Sequence, residues 1–402
     1  MNILYLVNMN ENNIKGLFTA NHEKIMAIKT LLDKDDVLNM YSVQFYDVGL
    51  GKIFKKLSGK KIFVNNGDSF VKDGITYRKE YLKVNLRNRL IEKEDNDYEK
   101  YKDFIEKHEN EILKCDAVVA MWGYPHGRLA YHIGKRYNKP YFVQYYGSDI
   151  HTNPYKNENV KKKIVEVLNN AENNFFVSNK LKESANGLGW DKDNWSITKN
   201  GVNFEKFYQI EKSEKEELKK KLSIKDELVI GYVGSLTEVK RSDSLVKICS
   251  KVNEKKKCKY IFVGDGDMRS QVEKEANENN LDSIFTGNVD ITDVNKYMNL
   301  MDIMILPSRR EGFGSVIVEA NSLGVLTIGS DAGGIPEVIG DERYIVKEGE
   351  DFEKRYADTI IKFINSGWDK EELINRVKME YDWKNIARND LDIIRRVVKD
   401  EE

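Results

Sequence analysis

The chain has 402 residues, with 65 Lys and Arg against 66 Asp and Glu and a hydrophobic share of 40%. A net charge of −1 supplies no global field toward nucleic acid, and the apolar share fills about two domain cores, which excludes a disordered polymer. Three cysteines, Cys115, Cys249 and Cys258, leave an odd thiol and no Cys-x-x-Cys pair, which argues against a secreted disulfide scaffold and for a reducing, cytoplasmic setting.

The first apolar run, residues 3–7, lacks the charged flank and small-residue cleavage site of a signal peptide and is expected to be a buried strand. No apolar stretch approaches the ~20 residues of a membrane span, so any membrane contact is expected to be peripheral, on the inner face of the plasma membrane. Runs at 37–45, 117–121, 141–145, 174–177 and 195–198 follow, separated by longer amphipathic, charged stretches. Short β-branched or aromatic runs alternating with helical segments are the pattern of parallel strands and crossover helices. Residues 50–100 break the alternation: NNGDSFVKDGITYRKEYL reads as hairpins with Asn-Gly and Asp-Gly turns, an insertion in the first domain. Five lysines between Lys52 and Lys61, with no acid among them, form either a solvated basic loop or a surface worth about 1 kcal/mol per cation against anionic lipid. Two later strand ends carry WGYPHG, with Trp122 and His126, and YYGSDIH, with Asp149. His126 is a candidate polar contact, and Asp149 is either a ligand contact or a helix N-cap.

The nearly all-charged EKSEKEELKKKLSIKDE sets the domain boundary at about 205/206. The domains expected are 1–205 and 206–383, with a terminal helix at 384–402 returning to the first. The second half has apolar runs at 228–233, 260–263, 283–286, 303–306 and 325–328. Four strand ends here are glycine-rich: GYVGSLTEVKR, YIFVGDGDMR, PSRREGFGSVIVEANSLG and SDAGGIPEVIG. Together they define a crevice at the carboxyl edge of a sheet, where open α/β sheets bind ligands. Lys240 and Arg241 are adjacent cations suited to phosphate. A helix beginning near Gly314 and Ser315 would present free amides to an anion. Glu319, at ~1.5 Å per residue, would stand roughly 7–8 Å along that helix, within reach of ribose hydroxyls. Glu311, before the loop, would meet whatever the far phosphate carries. Alone, such a pair of glutamates reads as solvated loop and helix positions; the four glycine turns change that balance.

These motifs resemble those of the family 4 retaining glycosyltransferases of the GT-B fold, most densely from Val229 to Pro336. The resemblance implies an α/β chain of GT-B type, two Rossmann-like domains facing across a nucleotide-sugar cleft. It implies Lys240 and Glu311 as the catalytic pair, the first on the diphosphate and the second on donor-sugar hydroxyls. Backbone groups of Phe313, Gly314 and Ser315 would hold sugar and phosphates, Glu319 the ribose, and Val289 would lie along the base. Gly16, Ser235, Arg241 and Gly264 would complete the donor site. Ser235 stands where the family has arginine, and Arg241, where the family often has glycine, is the expected compensation. Trp122, His126 and Asp149 fall on the acceptor side, although the family's histidines correspond to Met121 and Tyr146. The implied donor is a nucleotide-sugar, a UDP-sugar favoured over a GDP-sugar, with no metal and no cofactor. The acceptor would be a glycan, glycolipid or lipid-linked glycan of cell-surface polysaccharide biosynthesis.

Three rivals stand beside this expectation. Asp265 and Asp267 could form the Asp-x-Asp metal site of a GT-A transferase, but two α/β halves fit that fold poorly. Gly264 and Gly266 could open a dinucleotide fingerprint, but Arg269 occupies its third glycine position. A non-catalytic GT-B partner, binding a glycosylated protein or stabilising an active transferase, is favoured by Ser235 and the missing histidines.

Overall fold

The computed structural model describes residues 1–9, 17–47, 68–84 and 97–400. The first sheet contains β1 (Asn2–Val7), β2 (Val37–Asp47), β3 (Ser69–Lys72), β4 (Ile75–Val84), β5 (Ala117–Ala120), β6 (Tyr141–Tyr145), β7 (Asn173–Phe176) and β8 (Trp195–Ile197). Its order is β3-β4-β2-β1-β5-β6-β7-β8, and every pair is parallel except β3 with β4. Ile3 to Val7 are each at most 1% exposed. Burial on both faces explains why this strand is a continuous apolar run without alternation.

The second sheet contains β9 (Leu228–Val233), β10 (Cys258–Val263), β11 (Ser283–Gly287), β12 (Ile303–Leu306), β13 (Leu326–Ser330) and β14 (Ile345–Val346). The order β11-β10-β9-β12-β13-β14 is wholly parallel. This is the doubly wound, Rossmann-like arrangement, and strand order reverses between β9 and β12.

The chain divides into two compact units, 1–199 with 383–402, and 200–382. The divide falls before the expected 205/206 because the segment after Asn200 is tied into the second unit: Val202 bridges Asp382 and its amide donates to Tyr381 O at 2.9 Å. The terminal helix, Trp383–Asp400, places Trp383, Ile386, Ala387, Leu391 and Ile394 in one core with Phe18, Ile25 and Ile28 of the helix Leu17–Leu31. Beneath it the buried Lys24 ammonium pairs with Asp390 and donates to Gln144 at 3.0 Å and Thr198 at 2.6 Å.

The hairpin expected at Asp-Gly forms: Asp73 and Gly74 have φ of 47° and 71° and join antiparallel β3 and β4. It is not a separate insertion, however. β4 pairs in parallel with β2 over Tyr41 to Asp47 and extends the main sheet, because Ile75 and Tyr77 bury in the domain core. The lysines from Lys52 to Lys61 lie outside the described residues. Among the described residues no helix is long and apolar enough to cross a membrane.

Candidate functional site

At the strand-order reversal of the second unit, the turns after β9 and β12 bring Lys240 and Glu311 together as an ion pair. Arg309 binds these two turns together. Its amide donates to Val239 O at 2.9 Å, and its guanidinium reaches Glu238 O at 2.7 Å and forks onto Asp243 at 2.6 and 2.7 Å. Bidentate geometry of this kind fixes both partners.

The glycines serve a purpose the sequence did not disclose, which is loop-on-loop packing. A Cβ on Gly333 would stand 1.7 Å from Glu311 O, and Gly334 N donates to that oxygen at 3.0 Å. Only a glycine-bearing loop after β13 can press this closely on the backbone that carries Glu311. Likewise a Cβ on Gly264 would lie 2.0 Å from Gly234 O, where Gly234 N donates to Val263 O at 2.9 Å and Leu236 N to Asp265 O at 3.0 Å. The turns after β9 and β10 thus back each other.

Gly314 precedes the short helix Ser315–Asn321. Phe313 buries its ring against Tyr381, centroids 6.1 Å apart, so it contributes core rather than a surface ring. Glu319 is partly buried; its carbonyl accepts from the Ser322 hydroxyl at 2.7 Å, but its carboxyl accepts no hydrogen bond from the described residues, and burial pushes that carboxyl up from 4.5 to about 7. Ser235 is exposed, and its carbonyl accepts from the Tyr232 hydroxyl at 2.8 Å. Val289 is partly exposed in the turn after β11. Gly16 lies outside the described residues.

Arg241 departs from its expected place beside the Lys240 ammonium. Its guanidinium pairs with Glu348 at 2.5 Å and lies 4.1 Å from the centroid of Phe352. Its charge is committed to a neighbouring carboxylate, so compensation for Ser235 is not what the geometry displays. Sequence reasoning also missed Asn200, a buried residue whose amide donates to Ser315 Oγ at 3.1 Å. No spacing rule links positions 115 residues apart.

In the first unit, His126 is a core histidine rather than a loop contact. It is 1% exposed, its Nε2 bonds to Val43 O at 2.9 Å, its ring meets Phe45 edge-on, and burial lowers its pKa to about 4. Asp149 is fully buried and joins two strand-end loops by accepting from Gly147 N at 2.8 Å, Gly123 N at 3.2 Å and Tyr146 N at 3.2 Å. Burial raises its pKa to about 6 against those bonds. The helix-capping alternative is not what the geometry displays: Asp149 lies within the short helix Ser148–His151, whose N-cap is Gly147 with no side-chain cap bond, and its carboxylate instead ties together the backbone amides of 123, 146 and 147. Trp122 stays partly exposed, stacked on Tyr146 with centroids 6.3 Å apart and planes 17° apart. A buried charge cluster that the sequence did not signal has Asp97 accepting from Arg128 at 3.0 Å and His132 at 2.8 Å. Although burial opposes it, these bonds hold the Asp97 carboxyl well below its usual range. Among the described residues no group of three or more His, Cys, Asp or Glu side chains is arranged to hold a metal ion.

The family described as Glycosyl transferases group 1 matches residues 214–383. TuaC of Bacillus subtilis (strain 168), named as a teichuronic acid biosynthesis glycosyltransferase, is 29% identical over 236 residues, 58% of this chain and 58% of that protein. The capsular polysaccharide biosynthesis glycosyltransferase CapM of Staphylococcus aureus is 30% identical over 212 residues, 50% of this chain and 52% of that protein. The chain thus spans little more than half the length of these relatives. Among solved structures, HepE of Anabaena in complex with UDP is similar with a TM-score of 0.72 at 15% identity, covering 98% of this chain and 99% of that one. Sucrose-phosphate synthase of Thermosynechococcus elongatus is similar with a TM-score of 0.74 at 16% identity, covering 98% of each chain. These likenesses establish a GT-B fold of two Rossmann-like α/β domains.

Proposed function

We propose that the chain is a retaining, metal-independent glycosyltransferase that moves a sugar from a nucleotide-sugar to a glycan, glycolipid or lipid-linked acceptor in cell-surface polysaccharide biosynthesis. The observation that carries this reading is the Lys240–Glu311 ion pair at the strand-order reversal of the second unit, with the Glu319 carboxyl, unpartnered among the described residues, on the helix that follows. Open α/β sheets bind nucleotides at such a reversal. Among the described residues the Lys240 ammonium has Glu311 as its carboxylate partner, and it can exchange that partner for a diphosphate. The released carboxylate can then accept from sugar hydroxyls, and Glu319 from the ribose.

In this reading the bond from the anomeric carbon to the diphosphate oxygen breaks and a bond from that carbon to the acceptor oxygen forms on the same face. Lys240, with backbone amides of 313–315, stabilises the charge gathering on the leaving diphosphate, and Glu311 orients the sugar. The departing phosphate oxygen takes the acceptor proton, so no separate protein base is needed. With Ser235 neutral and Arg241 committed to Glu348, Lys240 is the principal phosphate cation of the second unit. Trp122 offers an aromatic face to an acceptor sugar, whereas His126 packs against β2 and Asp149 supports the first unit's strand-end loops.

A UDP-sugar is favoured as donor, which the structural likeness to HepE, solved with UDP and with UDP-glucose, supports. The names of TuaC and CapM support the polysaccharide assignment. A cytoplasmic setting, with peripheral attachment through Lys52 to Lys61, completes the proposal. The test is release of UDP from UDP-glucose or UDP-N-acetylglucosamine in EDTA, comparing wild type with Lys240→Ala and Glu311→Gln. Turnover in wild type and its loss in both variants is expected. Turnover that needs a divalent metal, or that survives Lys240→Ala, would overturn the mechanism.

A further inference from the structure

The Arg241 backbone lies in the left-handed region, with φ 54° and ψ 42°, immediately before the helix Ser242–Lys255. For a residue with a Cβ this conformation is strained and persists only where surrounding contacts enforce it. Those contacts are present. The side chain is buried, its Nη2 pairs with Glu348 at 2.5 Å, and its guanidinium stacks 4.1 Å from the Phe352 centroid. A desolvated guanidinium over an aromatic face adds to the ion pair.

These contacts close a circuit. Glu348 N donates to Asp331 Oδ1 at 2.9 Å, and Asp331 begins the loop whose Gly334 N donates to Glu311 O at 3.0 Å. Glu311 is paired with Lys240, the residue before Arg241. On the other side Arg309 grips Glu238 O and Asp243. The turn presenting the Lys240 ammonium is therefore held by two arginines, neither of which needs to touch a ligand.

We propose that Arg241 is a positioning residue of the donor site, bracing the turn that presents Lys240 through Glu348 and Phe352, rather than a second phosphate ligand. This rests on the donor reading above. Arg241 Nε is buried with no hydrogen-bond partner, so direct phosphate contact is the rival to be separated.

The variants are Arg241→Met, Glu348→Gln and the double variant, with Lys240→Ala as reference. In the ligand-free protein, amide hydrogen exchange over residues 237–241 reports the brace alone. UDP affinity across a series of salt concentrations reports whether a phosphate-directed charge is lost. Arg241→Met and Glu348→Gln should each speed exchange in the turn and weaken UDP by about tenfold, the equivalent of one charge-assisted hydrogen bond. The double variant should be no worse than either single one, and the salt dependence should stay that of wild type, flattening only in Lys240→Ala. Unchanged exchange in both single variants overturns the proposal. So does a Glu348→Gln protein that binds UDP as well as or better than wild type while Arg241→Met binds worse with a flattened salt dependence. If Arg241→Met fails to fold, the solvent-facing Glu348→Gln decides by the same readouts. If wild type binds no nucleoside diphosphate, the donor reading falls while the exchange measurement still judges the brace.

Discussion

Glu319 provides a pH signature that can be calculated before any substrate is known. Burial without a hydrogen-bond donor raises its carboxyl from 4.5 to about 7. At about 1.4 kcal/mol per pH unit, the charged form is disfavoured in the free protein by about 3 kcal/mol. The folded state holds this proton more tightly than the unfolded chain, so its contribution is complete below pH 4.5 and is lost as pH rises through about 7. Urea unfolding followed from about pH 5 to about pH 8 should therefore show wild type losing about 2.5 kcal/mol more than Glu319→Gln. Ribose hydroxyls would provide the donors that the free carboxylate lacks. Affinity for UDP-glucose, a diphosphate diester with no titrating proton in this interval, should rise with pH in wild type and stay flat in Glu319→Gln. Identical pH profiles for the two proteins, in stability and in binding, would refute the argument.

Lys24→Met should destabilise the first unit by about 3–5 kcal/mol, because it strands the Asp390 carboxylate in the core, whereas Lys24→Met with Asp390→Leu should recover most of that loss in urea melts. Gly333→Ala forces a Cβ into Glu311 O; kcat/KM should fall by about 100-fold or more if that displaces the Glu311 backbone by even about 1 Å. His126, lowered to about 4 by burial, should contribute stability that disappears as pH falls from 6.5 through about 4. Imidazole NMR resonances should show it neutral until that acid range, and His126→Phe should remove this component of acid unfolding without changing the KM for acceptor.

The parallel strands were legible because burial on both faces writes them as uninterrupted apolar runs: β9 and β12 coincide with the runs expected at 228–233 and 303–306. β4 was not, since NNGDSFVKDGITYRKEYL carries alternating and charged residues, as suits a strand near a sheet edge, and local turn chemistry says nothing of the long-range parallel pairing with β2. The two-residue β14 is too short to leave a pattern. In the candidate site, Lys240 and Glu311 could be found because their turns follow strongly marked strands. Arg241 could not be placed, because a cation next to a lysine looks the same in sequence whether it meets phosphate or Glu348. His126 illustrates the same limit: proline and glycine neighbours mark a turn, but only the packing of Phe45 and the position of Val43 O reveal a buried ring. Glycines were recognised as close-approach positions, yet the partner approached at Gly333 and Gly264 is another loop of the same unit.

In the proposed reading the second unit binds a nucleoside diphosphate through Lys240 without a metal. Calorimetric titration of the purified protein in EDTA with UDP, GDP, ADP and CMP, beside Lys240→Ala, tests it most directly. Saturable binding of UDP, weaker binding of GDP, and loss of both in Lys240→Ala are expected. Failure of every nucleotide to bind, binding that appears only with a divalent cation, or affinity that survives Lys240→Ala would contradict it.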